Sequence, residues 1–370
     1  MIIRFLTQSD VSEHEKVASQ AFVFSTDIND PDAVLPCEKV LGAFDDDDKT
    51  LFADLEIHEK RCHYDGGFLT CAGVGGVAAK PEHRGRGAVK ALFDKIFSEN
   101  EYDIAILYPF SEAYYRKLGF ERVGYALSAT VPFAELSEIE KNRDAVLYEG
   151  DGTDRLLEIY NRCAEKYNLC FVRDTAEMFP DKPYLSQSYT YIWRNNAFAT
   201  FSVDRAKSTV FVKEICFDSL ESMRGIVGFL RNYESNQKNV CFQNIPENAP
   251  LLRCIRDMRS SAVTLRDIGA ARILNIEKVL KAHRYPQGSG EFTIRIENEA
   301  YHVSYSENGV EIDRNGGRDP DAVMGIGRAS ELLLCGFADA EYIPDLVIRN
   351  PGSDFFRAFP PKTTFFSDDL

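Results

Sequence analysis

Gly76-Val77-Ala78-Ala79-Lys80-Pro81-Glu82-His83-Arg84-Gly85-Arg86-Gly87-Ala88-Val89-Lys90 is the stretch on which the reading of this chain turns. An apolar strand over 68–79 runs into a turn, then into Arg-Gly-Arg-Gly. An amphipathic helix over 87–97 follows, with Val89, Leu92, Phe93, Ile96 and Phe97 on one face. Gly85 and Gly87 let the backbone approach a ligand closely and turn N–H groups towards it. A helix N-terminus carries about half a positive charge, so stacking Arg84, Arg86 and Lys90 there is unfavourable unless an anion offsets them. The segment therefore asks for a phosphate or a pyrophosphate. Rival motifs fail. Gly73-Val74-Gly75-Gly76-Val77-Ala78 formally fits the dinucleotide pattern G-x-G-x-x-A, but Pro81 follows and no helix opens there. The G-K-S/T ending of a nucleotide-triphosphate loop is absent.

Outward from this stretch, strands and helices alternate, which predicts an α/β chain. Before it come a short strand over 2–6 and a helix carrying Val17, Ala18 and Ala21, with Ser9 or Asp10 as N-cap. After it come a strand over 104–108 and a helix over 111–118 closed by Gly119. The acidic turn 45–48 lacks the spaced ligands and the glycine of a calcium loop. Residues 131–270 repeat the pattern more weakly. A helix over 156–167 is followed by strands over 189–203, turning at Asn195-Asn196, and over 210–217, then a helix over 220–233 and a strand over 239–242. From 271 the character changes: alternating strands flank Asn308-Gly309, a hairpin signal, and a helix over 329–334 closes near Gly336. Three domains are expected, 1–130, 131–270 and 271–370.

Composition narrows the function. A chain of 370 residues is long for one core. The net charge of −15 argues against general affinity for nucleic acid or anionic membrane, and suits a cationic substrate such as a polyamine or an amino sugar. Nine cysteines without a C-x-x-C pair and six dispersed histidines without H-E-x-x-H give neither a disulfide framework nor zinc-type spacing. No metal is expected. No apolar run approaches the ~20 residues of a membrane helix, and no cleavable leader is legible at 1–10, so a cytoplasmic protein is expected.

Arg84-Gly85-Arg86-Gly87-Ala88-Val89 after an apolar strand resembles motif A of the GNAT acetyltransferases, R-x-x-G-x-G/A, with Val89 in place of the last small residue. Pro109-Phe110-Ser111-Glu112-Ala113-Tyr114-Tyr115-Arg116-Lys117-Leu118-Gly119-Phe120 is similar to the same family's F/I-Y-x-R/K-x-G-Y/F segment. Over its whole length the chain resembles the Eis-type (enhanced intracellular survival) acetyltransferases, with Ala271-Arg272-Ile273-Leu274-Asn275-Ile276 similar to their entry into the third domain. The resemblance implies two GNAT-like domains with mixed central sheets, the first catalytic, and a C-terminal sterol-carrier-like α+β domain. It implies acetyl-CoA as co-substrate, with Val77, Ala78 and Ala79 on the pantetheine and Gly85, Arg86, Gly87, Ala88, Val89 and Lys90, beside Arg84, on the pyrophosphate. Phe110 and Ser111 would lie along the cofactor, and the assembly would be a hexamer.

In that chemistry a neutral amine attacks the thioester directly, and strand N–H groups near Ala79 polarise its carbonyl. Tyr115, about one turn into a helix that Ser111 can cap, is expected to protonate the departing thiolate, since a phenol of pKa ~10 suits that task. Tyr114, about 100° away round the helix, is the expected core member. The resemblance implies the terminal carboxylate of Leu370 as base, which as a free α-carboxylate of pKa ~3.3–3.7 would need burial or a water relay. Phe22 and Phe24, with Asp27, Asp30 and Asp32, are candidates to meet the acceptor. In the middle domain the corresponding strand is followed by Asp218-Ser219-Leu220-Glu221, whose carboxylates would repel a pyrophosphate, so one cofactor site per chain is expected. The resemblance implies a small-molecule substrate bearing primary amines, of aminoglycoside type. A linear polyamine or a peptide amine is the alternative, and a lipid- or ligand-binding third domain on a relic acetyltransferase is the non-enzymatic one.

Overall fold

The computed structural model describes residues 1–22, 33–175, 188–314, 317–366 and 368. They fall into two compact units, one of Met1–Val123, Gly269–Pro361 and Asp368–Leu370, the other of Gly124–Ile268 and Lys362–Ser367.

In the first unit the elements run β1 (Ile2–Phe5), α1 (Val11–Phe22), β2 (Lys39–Phe44), β3 (Leu51–Tyr64), β4 (Gly67–Ala79), α2 (Ala88–Glu99), β5 (Ile104–Leu107), α3 (Glu112–Arg116) and β6 (Glu121–Arg122). They build a seven-stranded mixed sheet in the order β1-β2-β3-β4-β5, then the strand Ala270–Ile273, then β6. The segment read from sequence as a third-domain entry is thus a strand of this sheet. Its neighbours β5 and β6 both run antiparallel to it. Strand alternation sorts the side chains between two faces. Leu41, Ala53, Leu55, Ile57, Ala72 and Val74 meet Leu92, Phe93 and Ile96 of α2. Val40, Phe44, Leu51 and Ala78 face the other way, with Val17 of α1. Each such large side chain, fully buried, contributes roughly 1.5–3 kcal/mol.

The same unit holds a five-stranded sheet in the order Gly309–Asp313, Glu299–Ser306, Gly290–Ile296, Ala322–Met324, Val347–Ile348. The first three strands form antiparallel hairpins, with the Asn308-Gly309 turn at φ +131° for Gly309. The helix Ile326–Cys335 is tied to the larger sheet where the Ile273 amide donates to the Ser330 hydroxyl at 2.9 Å.

The second unit centres on a seven-stranded sheet in the order Ala262–Asp267, Tyr125–Pro132, Asn239–Pro246, Thr209–Phe217, Ala197–Asp204, Tyr189–Trp193, Ala145–Leu147. The helix Leu220–Leu230 packs Met223, Ile226 and Val227 onto it, against Trp193, Phe201 and Phe242.

The sequence reading departs from the structure at identifiable places. It overlooked β2 and β3, although in β3 Ala53, Leu55 and Ile57 alternate with Asp54, Glu56 and His58 in the period of a strand. The first helix begins after a turn opened by Thr7, not at a Ser9 or Asp10 cap: the Asp10 carboxylate reaches back to accept from the Thr7 amide at 2.8 Å. The acidic turn 45–48 is engaged within the protein. Asp47 accepts from the Lys49 and Thr50 amides, Asp48 pairs with Arg4, and Asp46 meets the N-terminal ammonium.

Candidate functional site

β4 is the strand from which the site is built. On one side its ladder with β3 continues to Ala53 opposite Ala79. On the other, its parallel ladder with β5 covers only Cys71–Val74 against Ile104–Leu107. Beyond Val74 the two strands part, and among the described residues no strand pairs with the β4 edge from Gly75 to Ala79. That leaves a short row of backbone donors and acceptors facing a gap, a surface able to add an extended ligand as if it were a strand. Val77 and Ala79 are half-buried and Ala78 is buried, so the edge is sheltered as well as unpaired.

The strand ends at Lys80, whose ammonium is buried against Glu13 of α1 at 2.7 Å. A single turn over Pro81–His83 leads to the glycine loop. Gly85 and Gly87 adopt φ of +78° and +81°, a region that any other residue enters at a cost. Gly87 is the N-cap of α2 and, lacking a side chain, leaves the first-turn N–H groups uncapped. The Arg84 guanidinium reaches back to the Ala79 carbonyl at 3.3 Å, and Arg86 has no ion pair among the described residues. Lys90 departs from the expectation of three cations awaiting an anion, since it pairs with Asp94 one turn on, at 2.6 Å. Ala88 is buried and Val89 half-buried, so these two anchor the helix start rather than face outward. The loop and α2 therefore present two arginines, a helix dipole and unpaired N–H groups at one point.

Beyond β5 the chain passes Tyr108 and Phe110, which is 74 % exposed, to Ser111. Ser111 caps α3 by accepting from the Tyr114 amide. The expected division of labour between the two tyrosines is reversed in burial. Tyr115 is 3 % exposed and Tyr114 only half-buried. Tyr115 lies among Phe93, Phe110, Tyr114 and Phe120 at ring-centroid distances of 5.2–6.1 Å, all near edge-on. The reason is that α3 is one short turn whose inward side faces the α2 core, and Tyr115 is the residue it sends there. Its hydroxyl makes no hydrogen bond within the described residues. Burial, and after it the neighbouring Tyr114, push the phenol above its ordinary value, so it stays protonated across the neutral range.

Leu370, Phe24, Asp27, Asp30 and Asp32 lie outside the described residues, and Phe22, at the end of α1, is 52 % exposed. Sequence reasoning passed over Tyr108. Its hydroxyl donates to the backbone carbonyl of Asp368 at 2.8 Å, which ties Asp368 to the end of β5. Asp368 is itself buried. No local pattern announces such a contact, since its partners are 260 residues apart.

The second unit repeats this geometry with a different outcome. The strand Thr209–Phe217 pairs in parallel with Asn239–Pro246 only as far as Val212 opposite Phe242, then diverges, while its other ladder runs on to Phe217. Here the gap is narrowed. Ile215, Cys216, Asn244 and Pro246 line a cleft of only about 50 Å³ together with Tyr167 and Phe365. Phe365 is held there by its ring contact with Tyr167 at 5.7 Å and by its amide, which donates to the Asn168 carbonyl at 3.0 Å. The helix that follows is closed too. The Ser219 hydroxyl accepts from the Ser222 amide at 3.1 Å, the Ser222 hydroxyl accepts from the Ser219 amide at 2.9 Å, and Asp218 adds a carboxylate.

Comparison with known proteins agrees with the geometry of the first unit. Residues 2–123 match the model of an acetyltransferase (GNAT) domain. No curated protein matches the chain by sequence. Among solved structures, the chain is similar to a GCN5-related N-acetyltransferase from Anabaena variabilis (TM-score 0.85, 17% identity, 100% of both chains covered). It is similar to Eis1 from Mycobacterium abscessus (TM-score 0.82, 19% identity, 100% of both chains). A probable N-acyltransferase from Enterococcus faecalis aligns over 100% of this chain and 99% of its own, with TM-score 0.84 and 14% identity. At these identities the likeness is one of fold. Residues 2–123 thus match a GNAT acetyltransferase domain, and over its whole length the chain shares its fold with Eis1.

Proposed function

We propose that the chain is an acetyl-CoA-dependent N-acetyltransferase acting on primary amines of a cationic small molecule, with one cofactor site, in the first unit. The observation that carries this reading is the coincidence of an unpaired β4 edge with an open, arginine-flanked helix N-terminus. The pyrophosphate rests on the amides of Gly85 to Val89 with Arg84 and Arg86, and Lys90 contributes to the local field. The pantetheine amides add to the edge of Val77–Ala79, about 10 Å of strand at ~3.3 Å per residue. Phe110 and Ser111 line the opposite side of the gap, and the thioester lies towards its closed end, near Gly76.

The neutral amine attacks the thioester carbon, a C–N bond forms and the C–S bond breaks. Tyr115 gives its proton to the thiolate, and the acetylated nitrogen, shedding its second proton, restores the phenol, which burial keeps protonated at neutral pH. The terminal carboxylate of Leu370 takes the proton of the incoming ammonium, a role supported by the Tyr108 contact that brings Asp368 to the end of β5. A net charge of −15 favours a polycationic acceptor. The five-stranded sheet of residues 290–348 corresponds, in this reading, to a sterol-carrier-like domain, and the assembly is a hexamer, which the mass in solution tests.

The deciding experiment is thiol release from acetyl-CoA against a panel of aminoglycosides, linear polyamines and lysine peptides. Release with the aminoglycosides supports the reading. Release only with polyamines or peptides moves the substrate class, and no release with any amine, while acetyl-CoA still binds, removes the substrate assignment.

A further inference from the structure

β3 carries a polar row that the acetyltransferase chemistry does not use. On a strand, alternate residues share a face, so Asp54, Glu56 and His58 project to the side of the sheet that α1 covers. Asp54 is fully buried and paired with His14 of α1, Oδ2 to Nδ1, at 2.9 Å. Glu56 and His58 are only half-buried and meet each other, Oε2 to Nε2, at 3.0 Å. Pairing of Lys39 with Ile57 across the β2–β3 ladder brings Cys37, just ahead of β2, alongside them. The thiol donates to the carbonyls of Lys39 at 3.4 Å and Ile57 at 3.9 Å. One donor atom each of Cys37, Glu56 and His58 lies within 4.8 Å of the other two.

We propose that Cys37, Glu56 and His58 bind a divalent transition metal of the zinc class. One sulfur, one imidazole nitrogen and one carboxylate oxygen are the mixed donors that zinc accepts, and three protein ligands leave a position open. Bond lengths of ~2.0–2.3 Å in a tetrahedral site put donors ~3.3–3.6 Å apart, so the existing cluster closes on an ion with side-chain movements of about 1 Å. Binding exchanges the S–H bond of Cys37 for an S–metal bond and releases one proton to water. Hard-cation binding is disfavoured, because a soft thiolate supplies one of the three ligands. No sequence spacing marks this site: the donors come from two chain segments joined by strand register.

The site touches the acetyltransferase machinery at one point. A Cβ built on Gly76 of β4 would lie 2.2 Å from Glu56 Oε1, so this carboxylate rests directly on the strand just before Val77. A bound ion would fix Glu56 against that strand.

Cobalt(II) tests the proposal on the full chain, freed of metal by a chelator. One equivalent should bind and produce the near-ultraviolet thiolate-to-cobalt absorption. Cys37→Ser should abolish the band, and His58→Gln and Glu56→Gln should each weaken binding by at least about 10-fold. Cys254→Ser, at a half-buried thiol elsewhere, should leave the band intact. Circular dichroism of each variant checks that it folds. Absence of saturable binding, binding without a thiolate band, or a band that survives Cys37→Ser would overturn the assignment. The readout needs neither acetyl-CoA nor an amine, so its failure is distinct from failure of the acetyltransferase reading.

Discussion

The two units contain the same device, a strand that parts from its parallel neighbour and then turns into a helix, and they finish it in opposite ways. In the first, β4 runs through Arg84-Gly85-Arg86-Gly87 into α2, whose cap is a glycine with no side chain to offer. Among the described residues no strand pairs with the β4 edge from Gly75 to Ala79 and no side chain caps the first-turn amides of α2. In the second, Phe217 is followed by Asp218 and Ser219. There the helix start is satisfied by reciprocal serine bonds, and Arg162 offsets Asp218 at 3.2 Å. The gap between its strands holds Tyr167 and Phe365. The lesson is that a binding site for an anion is partly an omission. Wherever capping groups and aromatic filler are supplied by the chain, nothing remains for a ligand to satisfy.

The contrast can be broken most forcefully by giving the first loop the charge of the second. Arg84→Glu with Arg86→Glu removes two charge-assisted contacts worth ~1.5–3 kcal/mol each, so acetyl-CoA affinity should fall about 10²–10⁴-fold, measured by calorimetry. Unchanged affinity would mean that the loop is not the pyrophosphate site. Next in size is Tyr115→Phe, which keeps the ring that packs on Phe93 and loses only the proton. It should lower kcat by at least about 100-fold with little change in the KM for acetyl-CoA, and near-normal kcat would remove Tyr115 from the reaction.

A smaller effect should follow at the strand. Gly76 has φ +55° and no room beside Glu56, so Gly76→Ala should cost ~1–3 kcal/mol, read as a lower unfolding midpoint in urea. A variant as stable as the parent would show that β4 is not held in this conformation. The smallest change belongs to the second unit. Ser219→Ala removes a cap and should destabilise by about 1 kcal/mol while leaving acetyl-CoA affinity untouched. A loss of affinity there would mean that the second helix start also serves the cofactor.

The first of these devices was legible in sequence because its physics is local. Glycines at fixed offsets, arginines against a helix dipole and one apolar helix face all sit within fifteen consecutive residues. The loop of the second unit was legible for the same reason, as Asp218 and Ser219 adjoin their helix. What escaped was decided by strand register over long separations. β3 alternates apolar and polar residues over Ala53–His58 as a strand does, but that Asp54 is buried with one carboxylate oxygen on His14, forty residues away, is not legible in the sequence. Tyr108 meets Asp368, and Phe365 walls a cleft with Tyr167, Ile215 and Pro246, through pairings that no window of sequence contains. The burial of Tyr114 and Tyr115 is the reverse of that expected because a five-residue helix presents its faces according to what packs on it, which is α2.

The central claim is that only the open device takes the cofactor, and the most direct test is the stoichiometry of acetyl-CoA binding to the intact chain by isothermal titration calorimetry. One molecule per chain, abolished by Arg84→Glu with Arg86→Glu, is the result this account predicts. Two molecules per chain, or one that survives the double substitution, would contradict it.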